Sequence, residues 1–219
     1  MPFKLIVWDF DGTIVDSLAA SVGIFNRLAS ELGHRPVEDL TAARALTTRQ
    51  FLRHHGVSLW RLPRLVRRFK AAAAEEADKL RLFPGLPAAF AELRAGGTRL
   101  GILSSNNEET IRRCLRASAV EEFFAFVVGY PKLFGKGKAL KRIVRAERLQ
   151  KSDVLYIGDE VRDVEAARKA GVASAAVTWG YHAEPLLRAN RPDHLVSEPG
   201  MLAGFCIGER PGLSGPSLD

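Results

Sequence analysis

The sequence predicts an α/β fold: a parallel β-sheet core covered on both faces by helices, with a separate α-helical cap inserted after the first strand. Three observations carry that prediction. Short apolar runs, suited to strands buried on both faces, recur between helical patterns of roughly 10 to 15 residues. The stretch between the first and second runs reads as helix only and is too long for a single crossover helix. Four of the runs lead directly into polar segments, as ligand sites beyond the carboxyl ends of parallel strands require.

The chain has 219 residues, 47% of them hydrophobic, enough to bury a full core carrying a large insert. The first strand is Phe3-Lys4-Leu5-Ile6-Val7-Trp8, which gives out at Asp9-Phe10-Asp11-Gly12-Thr13. Helices are then expected at Ser17 to Leu32, Val37 to His55 and Leu59 to Leu82, forming a cap over residues 16–83. In the third of them Leu62, Leu65, Val66 and Phe69 fall at i, i+3, i+4 and i+7, one buried stripe with arginines on the wet side. The chain returns near Phe83-Pro84-Gly85, so residues 1–15 and 84–200 make up the core domain. Gly96-Gly97 stops the next helix. Further strands are expected at Thr98 to Leu103, Phe124 to Val128, Val154 to Ile157 and Ser174 to Val177, with helices at Ala139 to Leu149 and Val164 to Ala170. Gly, Pro and Ser accumulate after Glu198, and residues 201–219 are expected to form a loose tail.

Bulk properties narrow the function. No apolar run approaches 18 residues and no leading apolar segment has the form of a signal peptide, so a cytoplasmic protein without a membrane partner is expected. Cys114 and Cys206 are too few and too far apart for a disulfide framework or a zinc motif. The net charge of +7 raises the question of nucleic acid. The positive residues, however, alternate with Leu, Val and Phe at helical spacing, which makes a solvated basic face and a secondary attraction for anionic phosphates.

Four clusters carry chemistry. Asp9 and Asp11, two apart at a strand end, can face one crevice while Gly12 permits a tight turn; a divalent cation or a shared proton would resolve their repulsion. Ser104 ends the apolar run Leu100 to Leu103 and can donate to a phosphate oxygen, with backbone N–H groups of the following helix beside it. Asn106 and Glu109 at that helix start also fit an ordinary capping box. Phe134-Gly135-Lys136-Gly137-Lys138 offers a lysine to offset neighbouring carboxylates and an anionic transition state. Asp159 and Asp163, four apart in Gly158-Asp159-Glu160-Val161-Arg162-Asp163, share one face of a helix start and can hold a cation, although capping alone would also explain Asp159.

In order and spacing these clusters resemble the four motifs of the haloacid dehalogenase-like (HAD) superfamily, and Asp-Gly-Thr-Ile-Val-Asp-Ser followed by a helical cap resembles its phosphoglycolate phosphatase-like group. The resemblance covers roughly residues 3 to 180 and implies a Rossmann-like core. It also implies Mg²⁺ held by Asp9, the backbone carbonyl of Asp11, and Asp159, with Asp163 acting directly or through water. Asp9 would be the nucleophile, forming an aspartyl phosphate, and Asp11 the general acid and then base. Lys136 would complete the catalytic set, with Lys138 a second candidate because Gly137 replaces the usual proline. Ser104, Ser105, Gly12 and Lys136 would bind the substrate phosphate. Glu160 departs from the serine common at that place.

The activity so implied is hydrolysis of a small phosphorylated metabolite by a monomer or homodimer. A carboxylate at position 11 sets the chain apart from the dehalogenase branch. A sugar-phosphate mutase of the β-phosphoglucomutase type is the alternative, but Ser21 stands where that group places a histidine base. A phosphonatase would need a cap lysine near the hinge, and the candidates Lys70 and Lys79 are not expected there. A non-catalytic binding or regulatory protein with this fold is the third reading. Arg44, Arg49, Arg53, His54 and His55 are cap groups able to meet an acidic leaving group, although each is expected at the surface.

Overall fold

The computed structural model describes residues 2–58, 60–130 and 135–207. The expected helix start at Leu59, the motif flank at Phe134 and residues 208–219 of the expected tail lie outside them. Six parallel strands form one sheet: β1 (Leu5–Trp8), β2 (Arg99–Ser104), β3 (Phe124–Gly129), β4 (Val154–Gly158), β5 (Ala173–Val177) and β6 (His194–Val196). Their spatial order is β3-β2-β1-β4-β5-β6. The order reverses at β1, whose neighbours are β2 and β4. A crevice opens at such a reversal, beyond the strands' carboxyl ends.

The alternation of strand side chains divides the core into two layers. Ile6, Trp8, Leu100, Ile102, Leu155 and Ile157 face one side, packing with α5 (Leu86–Ala95) and α6 (Glu108–Ala117) through Leu86, Phe90, Leu93, Ile111 and Leu115. Leu5, Val7, Leu103 and Tyr156 face the other, packing with α7 (Lys136–Ala146) and α8 (Val161–Ala170) through Leu140, Ile143, Val144, Ala166 and Ala167. Asp9 continues the parity of Leu5 and Val7, toward the layer that contains the first turns of α7 and α8.

Between β1 and β2 the chain forms α1 (Leu18–Leu32), α2 (Leu40–Arg44), α3 (Thr48–His54), α4 (Leu62–Glu76) and a 3₁₀ turn at Ala77–Lys79. The helix expected over Val37 to His55 is thus two helices. Thr47 breaks it by capping α3, with its hydroxyl accepting from Gln50 N and Gln50 Oε1 accepting from Thr47 N. Ile24, Phe25, Leu28, Ala29, Val37, Val57 and Leu65 bury a small core of their own in this layer. The expected stripe on α4 is only partly covered, since Leu65 is buried while Leu62, Val66 and Phe69 stay half-buried.

Several other expectations are corrected. The strand β6 follows no clear apolar run, being only His194–Val196. The helix α7 begins at Lys136, ahead of the expected start at Ala139. Asn107, not Asn106, caps α6 by accepting from Glu109 N. The loose tail does not begin at residue 201: Pro199–Ala203 forms a 3₁₀ turn, a short helix (Gly204–Ile207) follows, and Leu202 and Phe205 are buried in the sheet's first layer. Phe205 stacks edge-on against Phe3 and His194. Truncating Phe205 to Ala removes a core aromatic and should destabilise the protein by about 3–5 kcal/mol in urea unfolding. An unchanged midpoint would mean that this segment is not part of the core.

Candidate active site

The carboxyl ends of β1 and β4 supply most of the site. Asp9 follows β1 and is buried; its Oδ1 accepts from Phe10 N at 2.8 Å and its Oδ2 from Lys136 Nζ at 2.5 Å. Lys136 also donates to Asp163 Oδ1 at 2.8 Å, so one buried ammonium ties the end of β1 to the first turn of α8. Asp163 Oδ1 accepts further from Tyr156 OH at 3.3 Å, and its Oδ2 from Glu160 N at 3.1 Å. Asp159, fully buried after β4, accepts from Thr13 Oγ1 and Tyr181 N, both at 2.7 Å. Ligating oxygens of Asp9, Asp159 and Asp163 all lie within 4.8 Å of one another.

Two glycines make this closeness sterically possible. A Cβ on Gly158 would sit 2.5 Å from Asp163 Cβ, so only a bare backbone lets α8 turn back over the end of β4. Gly12 has φ +74°, and a Cβ there would meet Asp159 Oδ2 at 2.3 Å. The N–H of Gly12 donates to Val15 O at 3.0 Å, so Gly12 shapes the turn rather than offering a donor to phosphate.

Three like charges in one buried place perturb one another. Burial is the largest influence on Asp9 and, despite the opposing pull of Lys136, raises its pKa to about 6. Asp159 is pushed well up by burial and by the charges of Glu160, Asp163 and Asp9. Burial pulls Lys136 down, but Asp163 and Asp9 outweigh it and hold the ammonium protonated above its ordinary range. Burial would also raise Glu160, yet Arg162 and His182 keep it ionised with a pKa of about 2. Two cations, Lys136 and Arg162, face four buried carboxylates, Asp9, Asp159, Glu160 and Asp163, so their ionised forms are incompletely compensated. An oxygen-only donor set of this kind fits a small hard divalent cation.

Asp11 sits beside this cluster at the crevice. Its Oδ2 accepts from Asn106 Nδ2 at 3.1 Å, a contact between residues 95 positions apart that the sequence reading did not find. Burial raises the Asp11 pKa, opposed by its hydrogen bonds to Asn106 and Ser17. Ser104, buried at the end of β2, accepts from Asn106 N at 3.2 Å, which leaves its hydroxyl proton to be donated. Ser105 follows at the crevice rim, with its carbonyl accepting from Lys70 Nζ at 2.5 Å. Of the two lysine candidates, Lys136 is buried in the site and Lys138 is exposed on α7.

The cap meets the site more closely than the sequence suggests. Lys70 of α4, not expected near the hinge, reaches over the crevice to Ser105, and burial lowers its pKa. Lys79 is exposed and pairs with Glu76. Thr48 of α3 donates to Glu160 Oε2 at 2.8 Å, and Arg44 donates to Thr178 O at 3.1 Å. Glu160 is therefore a bridge between Arg162, His182 and the cap rather than a spare carboxylate. Arg49, Arg53 and His54 are exposed, whereas His55 is buried among Phe25 and Phe51 with Nδ1 on Arg35 O at 2.8 Å, a packing role. Ser21 Oγ lies 2.6 Å from Tyr181 OH. No helix among the described residues is long and apolar enough to cross a membrane.

Residues 6–177 match the family model described as haloacid dehalogenase-like hydrolase. A protein named phosphoglycolate phosphatase in Synechococcus elongatus is 38% identical over 201 residues, covering 91% of this chain and 95% of that one. Another of that name, from Caulobacter vibrioides, is 31% identical over 193 residues and covers 83% and 81%. Among solved structures, a haloacid dehalogenase-like family hydrolase from Streptococcus pneumoniae has a TM-score of 0.76 at 21% identity, covering 93% of this chain and 98% of that one, which speaks to the fold alone.

A cation bound among Asp9, Asp159 and Asp163 competes with protons for the same oxygens. Asp9, with its pKa raised to about 6, binds protons in the folded state that the unfolded state has released, so its ionisation costs stability as pH rises between 3.8 and about 6. A divalent cation relieves that cost only where the carboxylates are ionised. Millimolar Mg²⁺ should therefore raise the thermal midpoint more at pH 7.5 than at pH 5. An equal shift at both pH values, or none, would count against a cation in this cluster.

Proposed function

The chain belongs to the haloacid dehalogenase-like hydrolase family, and we infer that it works as a phosphatase, passing the phosphoryl group of a small phosphate monoester to Asp9 and then to water. The observation that carries this reading is the placement of Lys136 Nζ on both Asp9 and Asp163, beside buried Asp159, with Asp11 held by Asn106 two residues beyond Asp9. Phosphoglycolate, which stands in the names of the Synechococcus and Caulobacter relatives, is the first substrate to test. The segment over residues 16–83 is proposed as the cap that closes on it, with residues 1–15 and the chain from 84 on, through Leu202 and Phe205, as the core.

The chain's own groups divide the work. Lys136 offsets the burial that would keep Asp9 protonated, and so supplies a carboxylate able to attack phosphorus. Phe10 N–H fixes Asp9 Oδ1, leaving less freedom for the attacking group. Asp11, raised by burial, can carry the proton that the leaving alkoxide needs and afterwards accept one from the attacking water. Asn106 orients it for both transfers. Ser104 has a hydroxyl proton to give to a phosphate oxygen. Mg²⁺ is the proposed cation, held by Asp9, Asp159 and the Asp11 carbonyl with Asp163 alongside, and when bound it supplies charge neutralisation for the phosphoryl oxygens.

Two rival readings lose support. The mutase needs a base where Ser21 stands, and the Ser21 hydroxyl is hydrogen-bonded to the Tyr181 phenol, which burial drives further above its ordinary range. A binding protein has no need to keep three buried carboxylates around one lysine, an arrangement that costs desolvation.

Phosphate release from a panel of monoesters with Mg²⁺ tests this reading. Asp9→Asn should abolish release, Asp11→Asn should lower kcat by about 10²- to 10⁴-fold, and Asn106→Ala should lower it by about tenfold, the worth of one orienting hydrogen bond. Undiminished turnover by Asp9→Asn would rule out the aspartyl-phosphate route.

A further inference from the structure

A cavity of about 260 Å³ begins at Asp11, Ser105 and Asn106 and runs into the cap. Ser17, Ser21, Thr48, Glu76 and Tyr181 are among its polar lining groups, with the cations Arg44, Lys70 and Arg162. Apolar surface predominates, however, and all four cap helices contribute to it: Phe25 from α1, Leu40 from α2, Phe51 and Leu52 from α3, Leu62 and Phe69 from α4.

These residues are the inner face of the cap, yet Phe51, Leu52, Leu62 and Phe69 are only half-buried against its small core. A fully packed four-helix layer would cover them. The α4 stripe that the sequence marks as core is thus partly the wall of a cavity. At ~30 Å³ per water, the space equals about nine waters, well beyond what the two-carbon alcohol of phosphoglycolate fills. Water in such a space would find few polar partners on the aromatic and leucine walls, so an apolar group gains by displacing it.

We propose that the site takes phosphate monoesters whose alcohol is an extended apolar group, alkyl or aryl, with the phosphate at Asp9 and the hydrocarbon in the cap cavity. This rests on the phosphatase reading and extends it to the substrate class. The cavity reaches Asp11, whose proton the leaving oxygen receives, so the alcohol of an ester whose phosphate lies at Asp9 extends into it. Burial of a remote hydrocarbon contributes binding energy that the transition state shares. With roughly 0.8 kcal/mol per buried CH₂, each added methylene should improve binding about fourfold until the cavity is full.

Two measurements test it together. Calorimetry of non-hydrolysable alkyl phosphonates, from methyl to octyl, on the Mg²⁺-loaded protein should show affinity rising about fourfold per methylene over the first several carbons. The matching alkyl phosphates should show the same rise in kcat/KM above the value for phosphoglycolate. Ala73→Phe, which adds a ring to the α4 wall, should move the optimum to shorter chains in both series. Affinity that is flat or falls with chain length overturns the inference even if phosphoglycolate is hydrolysed well. Rising affinity without turnover of any ester would instead overturn the phosphatase reading and leave an apolar-tailed anion as the ligand.

Discussion

Everything in the site depends on one buried ammonium. Asp9 comes from the end of β1, and Asp159 and Asp163 from the junction of β4 and α8, and three carboxylates out of water repel one another and lose hydration. Lys136 Nζ makes their assembly tolerable by bonding Asp9 and Asp163 at once. It can do so because α7 begins at that residue, at the carboxyl edge of the sheet, and because β1 and β4 are neighbours at the point where the strand order reverses. Burial, with the neighbouring carboxylate charges behind it, still keeps Asp9 and Asp159 above the usual carboxylate range. The charge left over is what a dication and a phosphate would together complete.

Around that centre the cap meets the core at several polar points. Thr48 on Glu160, Arg44 on Thr178 O and Lys70 on Ser105 O join the cap to core loops beside the crevice. Each is a contact between a side chain and a loop at the site's rim, so cap position and site chemistry are linked. Such contacts are worth about a kilocalorie each, small enough to be exchanged when a ligand enters. The cavity at Asp11 belongs to the same design on the proposal above, with the core supplying the chemistry and the cap selecting what is attached to the phosphate.

The parts of this arrangement that the chain displays locally were legible in its sequence. Asp9, Asp11, Ser104, Lys136, Asp159 and Asp163 stand at strand ends or helix starts, where short apolar runs and turn residues announce them. Five of the six strands were readable for the same reason. What escaped are contacts made across long separations. Nothing near Asn106 points to Asp11, 95 residues earlier, and its neighbour Asn107 offers the cap that Asn106 also fits. Lys70 lies on a regular amphipathic helix whose register does not tell that its end crosses the crevice to Ser105. His55 looks like a surface base beside His54 but is buried between rings. Leu202 and Phe205 hide in a Gly- and Pro-rich segment whose composition suggests a tail, whereas burial against Phe3 decides its structure.

The central claim is that Asp9 itself takes up the phosphoryl group. Acid-quenching the Mg²⁺-loaded enzyme during turnover of its best monoester, followed by peptide mass spectrometry, reads this directly. The account predicts a phosphoryl adduct on the peptide containing Asp9, located at that residue and absent after the substrate is exhausted. Steady phosphate release with no adduct at any time, or an adduct on another residue, would contradict it.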